Sequence, residues 1–178
     1  MAGSDASVAD ELISLKKALI VAGAVVACLV AALVVLRLVG LDPHERWPGL
    51  WLRGEVVTTP VSDWSFTDRY QAIAVQTRSW YGLPHSVTVT CTALDGPLYL
   101  TSVYQPGLEF PRDRLWNKNV LRDPHVRLKI GTQLYDQTLT LVTDAAEKDA
   151  VLEAKAKKYP RQAGTDKSRV YVFRVGPA

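Results

Sequence analysis

Residues 18–36 carry no charge. As a helix rising about 1.5 Å per residue, this run covers about 28 Å, close to the ~30 Å of a bilayer's hydrocarbon core. Lys16 and Lys17 flank one end, and Arg37 can snorkel at the other. The run is longer than the apolar segment of a signal peptide, and no small-x-small cleavage site precedes the remaining chain. The pattern predicts a single-pass transmembrane helix over residues 18–39. Before it lies a polar tail, 1–17, in which residues 6–15 form a short amphipathic lead-in. After a juxtamembrane linker at 40–49 the apolar period drops to two. Strands are expected at 50–57, 71–77, 86–93, 98–103, 126–130, 133–142 and 169–175. Ala72 and Ala74 oppose Ile73 and Val75 in one of them; Val170 and Val172 oppose Tyr171, Phe173 and Val175 in another. Asp95-Gly96 joins two of the strands as a hairpin.

Residues 112–131 hold the centre of this pattern. Pro111 suits a first helical turn, and Leu115, Val120 and Leu121 supply an apolar face. Asp123-Pro124 stops the helix, because the residue before proline is pushed out of the α region. Val126, Leu128 and Ile130 then alternate with Arg127 and Lys129, and Gly131 opens the next turn. A second helix starts at Asp144 as N-cap with Glu147 closing a capping box. It ends on Lys155, Lys157 and Lys158, whose charge suits the helix dipole. The expected fold is an N-terminal transmembrane α-helix followed by an α+β domain at 50–178, a small, mostly antiparallel barrel with two short helices. Closing the sheet removes its edges.

Composition narrows the function classes. With 48% hydrophobic and 22% charged residues the chain is not of the disordered type. A net charge of +3, evenly spread, speaks against nucleic acid as partner. Of the two cysteines, Cys28 lies inside the apolar run, so no disulfide with Cys91 is expected. His44, His85 and His125 have no ligand spacing, and no metal site is expected. Gly23, Ala27 and Ala31 form a small-residue stripe that admits a second helix, although a high alanine content produces such stripes unaided. Basic residues flank both ends of the span in nearly equal number, so sidedness is not fixed by charge. Trp47 and Trp51 suit an interfacial belt or the domain surface equally well. No phosphate loop, His-Glu-x-x-His, Cys-x-x-Cys or nucleophile elbow occurs. The most informative loop is 77–86, where Arg78, Ser79 and Gly82 offer a cation, a hydroxyl and exposed amides to a phosphate. A solvated turn has the same composition.

Four motifs in fixed order carry a family likeness between Asp63 and Pro177. They are Thr77-Arg78, Gly82 and Pro84-His85 before a strand; the strand opening at Asp95-Gly96; the run from Arg114 through Trp116 and Asn119 to Val126; and Val142 to Lys148, followed by Lys158-Tyr159-Pro160 and Val172 to Val175. This set resembles the split β-barrel flavin- and deazaflavin-binding proteins, particularly the deazaflavin-dependent nitroreductase branch. The resemblance implies a cofactor phosphate cradled by Arg78, Ser79, Gly82 and the position of His85, with Trp116 and Asn119 near the same groove. The chain departs from that pattern in carrying His85 where a basic residue is usual, and bulky Trp80 and Tyr81 in the loop.

Two functions are compatible with these features. In the first, the barrel has no cofactor and serves as a non-catalytic accessory subunit of a larger membrane assembly, such as a respiratory or photosynthetic electron-transfer complex. Its partners are then the lipid bilayer and other membrane subunits. In the second, the chain is a membrane-anchored FMN- or deazaflavin-binding oxidoreductase acting on a lipid-soluble substrate such as a quinone. Either places it in a bacterial-type inner membrane, with the family resemblance favouring a cytoplasmic domain.

Overall fold

The computed structural model describes residues 3–162 and 164–178, with side chains described from residue 14 onward except residue 163. Helix α1 spans Gly3–Val39, so the expected tail is helical from Gly3, and the amphipathic lead-in lies almost wholly outside the described side chains. Within α1, Ser14–Val39 is long and apolar enough to cross a membrane, and none of its most apolar window is buried. Gly23 has open space around its Cα, and Cys28 is exposed.

Residues 40–178 form a separate compact unit. Its strands are β1 (Glu55–Val56), β2 (Ile73–Arg78), β3 (Pro84–Ala93), β4 (Leu98–Val103), β5 (His125–Ile130), β6 (Gln133–Leu141) and β7 (Val170–Pro177). Six of them run antiparallel in the order β6-β5-β2-β3-β4-β7, and β6 pairs with β7 to close the ring. The strand expected at 50–57 shrinks to the two residues of β1, which pair in parallel with the start of β6. The reason lies in how the preceding chain is held. Gly49 exchanges two backbone hydrogen bonds with Ser86, at 2.8 and 3.0 Å, and the Leu52 N–H donates to Gln76 Oε1 at 2.7 Å. Residues 40–49, expected as a linker, are thereby part of this unit.

Ile73, Val75, Cys91, Leu98, Leu100, Leu128, Ile130 and Phe173 fill the barrel. Strand β7 is buried on both faces: Phe173 and Val175 point inward, while Val170 and Val172 meet Val151 and Leu152 of helix α3 (Ala145–Lys158) outside. The β3–β4 turn places Asp95 and Gly96 at φ 53° and 103°. Two positive φ values in succession are the type I′ hairpin that Asp-Gly favours.

The two short helices differ in detail from the sequence pattern. Helix α2 (Leu115–Arg122) begins four residues after Pro111, and its inward face is Trp116, Asn117, Asn119 and Val120. Leu115 and Leu121 are exposed. The helix turns this way because both asparagines find buried partners: Asn117 Oδ1 accepts from Ser102 and Tyr104, and Asn119 donates to Thr77. At α3, Asp144 accepts from the Glu147 N–H at 2.7 Å, so the N-cap is as expected. Glu147 does not reach back; it accepts from the Tyr99 hydroxyl at 2.8 Å instead. The far end of α3 is latched by Tyr159. Its hydroxyl lies 2.8 Å from the Gln71 and Cys91 carbonyls and 3.3 Å from the Cys91 N–H. Tyr159→Phe leaves those buried groups short of a partner and is expected to cost about 1–3 kcal/mol, read as a lower urea midpoint of the barrel.

Candidate functional site

The β2–β3 hairpin and α2 bring part of the expected set together. Ser79 O accepts from the Gly82 N–H at 3.0 Å, and the Ser79 N–H donates to Leu83 O at 2.9 Å. Gly82, at φ +85°, takes the left-handed position that completes this short loop. Asn119 Nδ2 donates to Thr77 Oγ1 at 3.0 Å, and Thr77 Oγ1 donates to the His85 carbonyl at 3.1 Å, so α2 staples the hairpin base. Arg122 adds a second brace by donating to the Arg78 carbonyl. Ser79 is buried, with its Oγ lacking a protein partner among the described residues. The Arg78 side chain is exposed. Burial lowers the pKa of His85, which favours its neutral imidazole over a cation in the loop. The amides of Ser79 and Gly82 are spent inside the turn.

Trp116 alone among the six residues lines the cleft on the outer face of β3 and β4. This cleft has a volume of about 390 Å³. Thr88, Thr90 and Thr101 form its floor, residues 45–48 form one wall, and Arg114, Trp116 and Gln162 close the others. The Thr90 and Thr101 hydroxyls are 2.8 Å apart across the strand pair. Arg114 Nη2 donates to the Val103 carbonyl at 2.5 Å, and its guanidinium lies over the Tyr104 ring at 5.2 Å. Its Nε is buried and has no protein acceptor among the described residues. Beneath it, burial pushes the Tyr104 hydroxyl up to about 12, against the pull of the Arg114 charge. Tyr104 therefore stays protonated and donates to Asn117 Oδ1 at 2.6 Å. The result is a fixed cation beside a row of hydroxyls and an indole.

Sequence reasoning passed over this row. Ser86, Thr88, Thr90 and Thr92 recur every second residue, which puts four hydroxyls on one face of β3. That regularity was the available signal. Arg114 gave none, because its position depends on where α2 begins. A larger groove of about 730 Å³ runs between residues 56–62 and the end of β7. Its charged side chains are occupied elsewhere: Asp136 pairs with Arg127 at 2.7 Å, and Arg174 approaches Glu147 at 3.6 Å. His125 pairs with Asp123 at 2.9 Å, and no cluster of three metal-ligating side chains occurs among the described residues.

No known family profile and no curated protein matches the chain. Solved structures match it in fold. One, described as a domain-swapped dimer, has a TM-score of 0.50 at 18% identity and covers 60% of this chain and 80% of its own. HutZ, a heme storage protein from Vibrio cholerae, aligns at 0.47 and 12% identity over 64% and 85%. A Clostridium acetobutylicum protein related to general stress protein 26, of the pyridoxinephosphate oxidase family, aligns at 0.45 and 13% over 62% and 78%. At these identities the likeness is one of fold: the chain carries a split β-barrel behind an N-terminal apolar helix.

Proposed function

We propose that the chain is a membrane-anchored split-barrel protein that holds a flavin or deazaflavin in the Arg114 cleft. The observation that carries this reading is a hydroxyl-lined cleft of ligand size with Arg114, whose guanidinium is already oriented by Val103 and Tyr104, among its lining residues. The ordered sequence motifs support the cofactor class, and of the residues they single out Trp116 lies in this cleft. Arg114, oriented by Val103 and Tyr104, would hold an anionic group through charge-assisted hydrogen bonds. Thr88, Thr90 and Thr101 would bind polar edges, and Trp116 would exclude water from one side. When bound, such a cofactor supplies hydride chemistry. The apolar helix would keep the barrel near a lipid-soluble acceptor such as a quinone.

The test is an absorbance spectrum of the gently solubilised protein, followed by mass spectrometry of whatever denaturation releases. Arg114→Gln is expected to weaken cofactor binding by about 10–100-fold, the loss of one charged hydrogen bond. Arg78→Ala reports separately on the hairpin, and unchanged binding in Arg114→Gln with loss in Arg78→Ala would move the phosphate to the hairpin. The competing reading is the accessory subunit of an electron-transfer complex, favoured by a hairpin that spends two amides in its own turn. A colourless protein that co-purifies with other membrane subunits would establish it.

A further inference from the structure

The tip of the β2–β3 hairpin belongs to no core and to no cleft described above. Trp80 is 80% exposed and Tyr81 54%, and their rings meet edge to face at 5.4 Å. Around Gly82, next to them, lies open space, so the pair stands on a projecting turn. The turn is rigid at its base through Thr77 and Asn119.

Cations ring the base. The Arg78 side chain is exposed, and Arg122 is tied to the Arg78 carbonyl. Lys118, one turn earlier on α2, shares the outward helix face with Arg122, and Leu121 adds an exposed apolar side chain there. The Asp123 carboxylate also lies at this rim, hydrogen-bonded to His125 and close enough to Arg78 to interact with its charge, so it offsets part of the positive field. Aromatic rings with an apolar body and a polar tip, surrounded by long basic side chains, have the composition of a membrane-interface surface. The same chain carries a helix long and apolar enough to cross a bilayer, which ends immediately before the barrel in sequence.

We propose that this hairpin docks the barrel onto an anionic bilayer surface. Trp80 and Tyr81 enter the headgroup layer, and Arg78, Lys118 and Arg122 face lipid phosphates. The inference rests on reading Ser14–Val39 as a retained span. It gives the barrel a second point of attachment and fixes which side of it faces lipid.

The experiment uses the full chain reconstituted into vesicles whose lipids are brominated in the acyl chain, of phosphatidylcholine alone or mixed with phosphatidylglycerol. An alkaline carbonate wash comes first. Protein that washes off overturns the span and leaves docking without its tether. For protein that stays, wild-type tryptophan emission is expected to be quenched more than that of Trp80→Phe in the anionic vesicles. That excess is expected to be lost in neutral vesicles and in Arg78→Glu or Lys118→Glu. No excess over Trp80→Phe in anionic vesicles, with an unchanged circular dichroism spectrum, overturns the docking alone. Equal excess in neutral vesicles overturns the anionic surface as partner. Protection of Trp80 from aqueous iodide in native membranes but not in vesicles assigns the tip to a protein partner instead.

Discussion

Trp116→Ala is expected to lower the stability of the barrel by about 3–5 kcal/mol, the range for removing a buried tryptophan from a core. Trp116 is 4% exposed, and its ring centroid lies 5.3 Å from that of Phe173, the largest of the fully buried side chains. Neither neighbour can collapse into the gap. Phe173 sits in a strand paired on both sides, and α2 is held by Asn117 and Asn119 on either flank of Trp116. Thermal unfolding followed by circular dichroism should show a midpoint lower by roughly 10 °C or more. The same substitution removes a lining residue of the Arg114 cleft, so under the proposed function bound flavin or deazaflavin should fall with it. A variant that loses cofactor but keeps its midpoint would mean that the indole serves the ligand and not the core.

Lys155→Met is expected to stabilise the protein near pH 7, by up to about 3 kcal/mol. Lys155 is buried in the last turn of α3, and burial lowers its pKa from 10.5 to about 8. Below pH 8 the ammonium is charged in both states, and the folded protein carries the desolvation cost. Between about pH 8 and 10.5 the unfolded chain binds the proton and the folded chain does not, so stability rises with pH across this window. Tyr99, Tyr104, Tyr135 and Tyr159 act in the opposite sense. Burial raises each of them above the ordinary value of 10, so their contribution is lost as the pH climbs past it. Wild type should therefore gain stability from pH 8 toward 10 and lose it above. Lys155→Met should show only the loss. Urea midpoints at pH 7, 9 and 10.5 distinguish the two, and a parallel rise in both proteins would show that Lys155 is not the titrating group.

Period-two runs placed β2 through β7 within a few residues, because each has one face in the barrel and the alternation records that face directly. Asp95-Gly96, Gly131 and Asp144 were equally legible, since each acts through its own backbone or its nearest neighbours. The inward face of helix α2 was not, because it includes two asparagines. Their burial depends on Ser102, Tyr104 and Thr77, partners that only the closed sheet brings near. The three lysines ending α3 show the same limit. Lys157 stays in solvent, but Lys155 turns inward and Lys158 reaches Thr67 O at 3.0 Å. The helix dipole explains why a charge is tolerated there and says nothing about which way it points. As for the site, the motif order led to the hairpin residues, while the Arg114 cleft draws on five separate segments and has no local pattern.

The ring is completed by its last strand in sequence. β7 pairs with β4 on one side and β6 on the other, and both are complete well before residue 170. During synthesis the apolar helix emerges before the sheet, which stays an open ribbon with two unpaired edges until β7 is made. Closure is thus the last event in the order of synthesis, when an eight-residue strand seals the barrel.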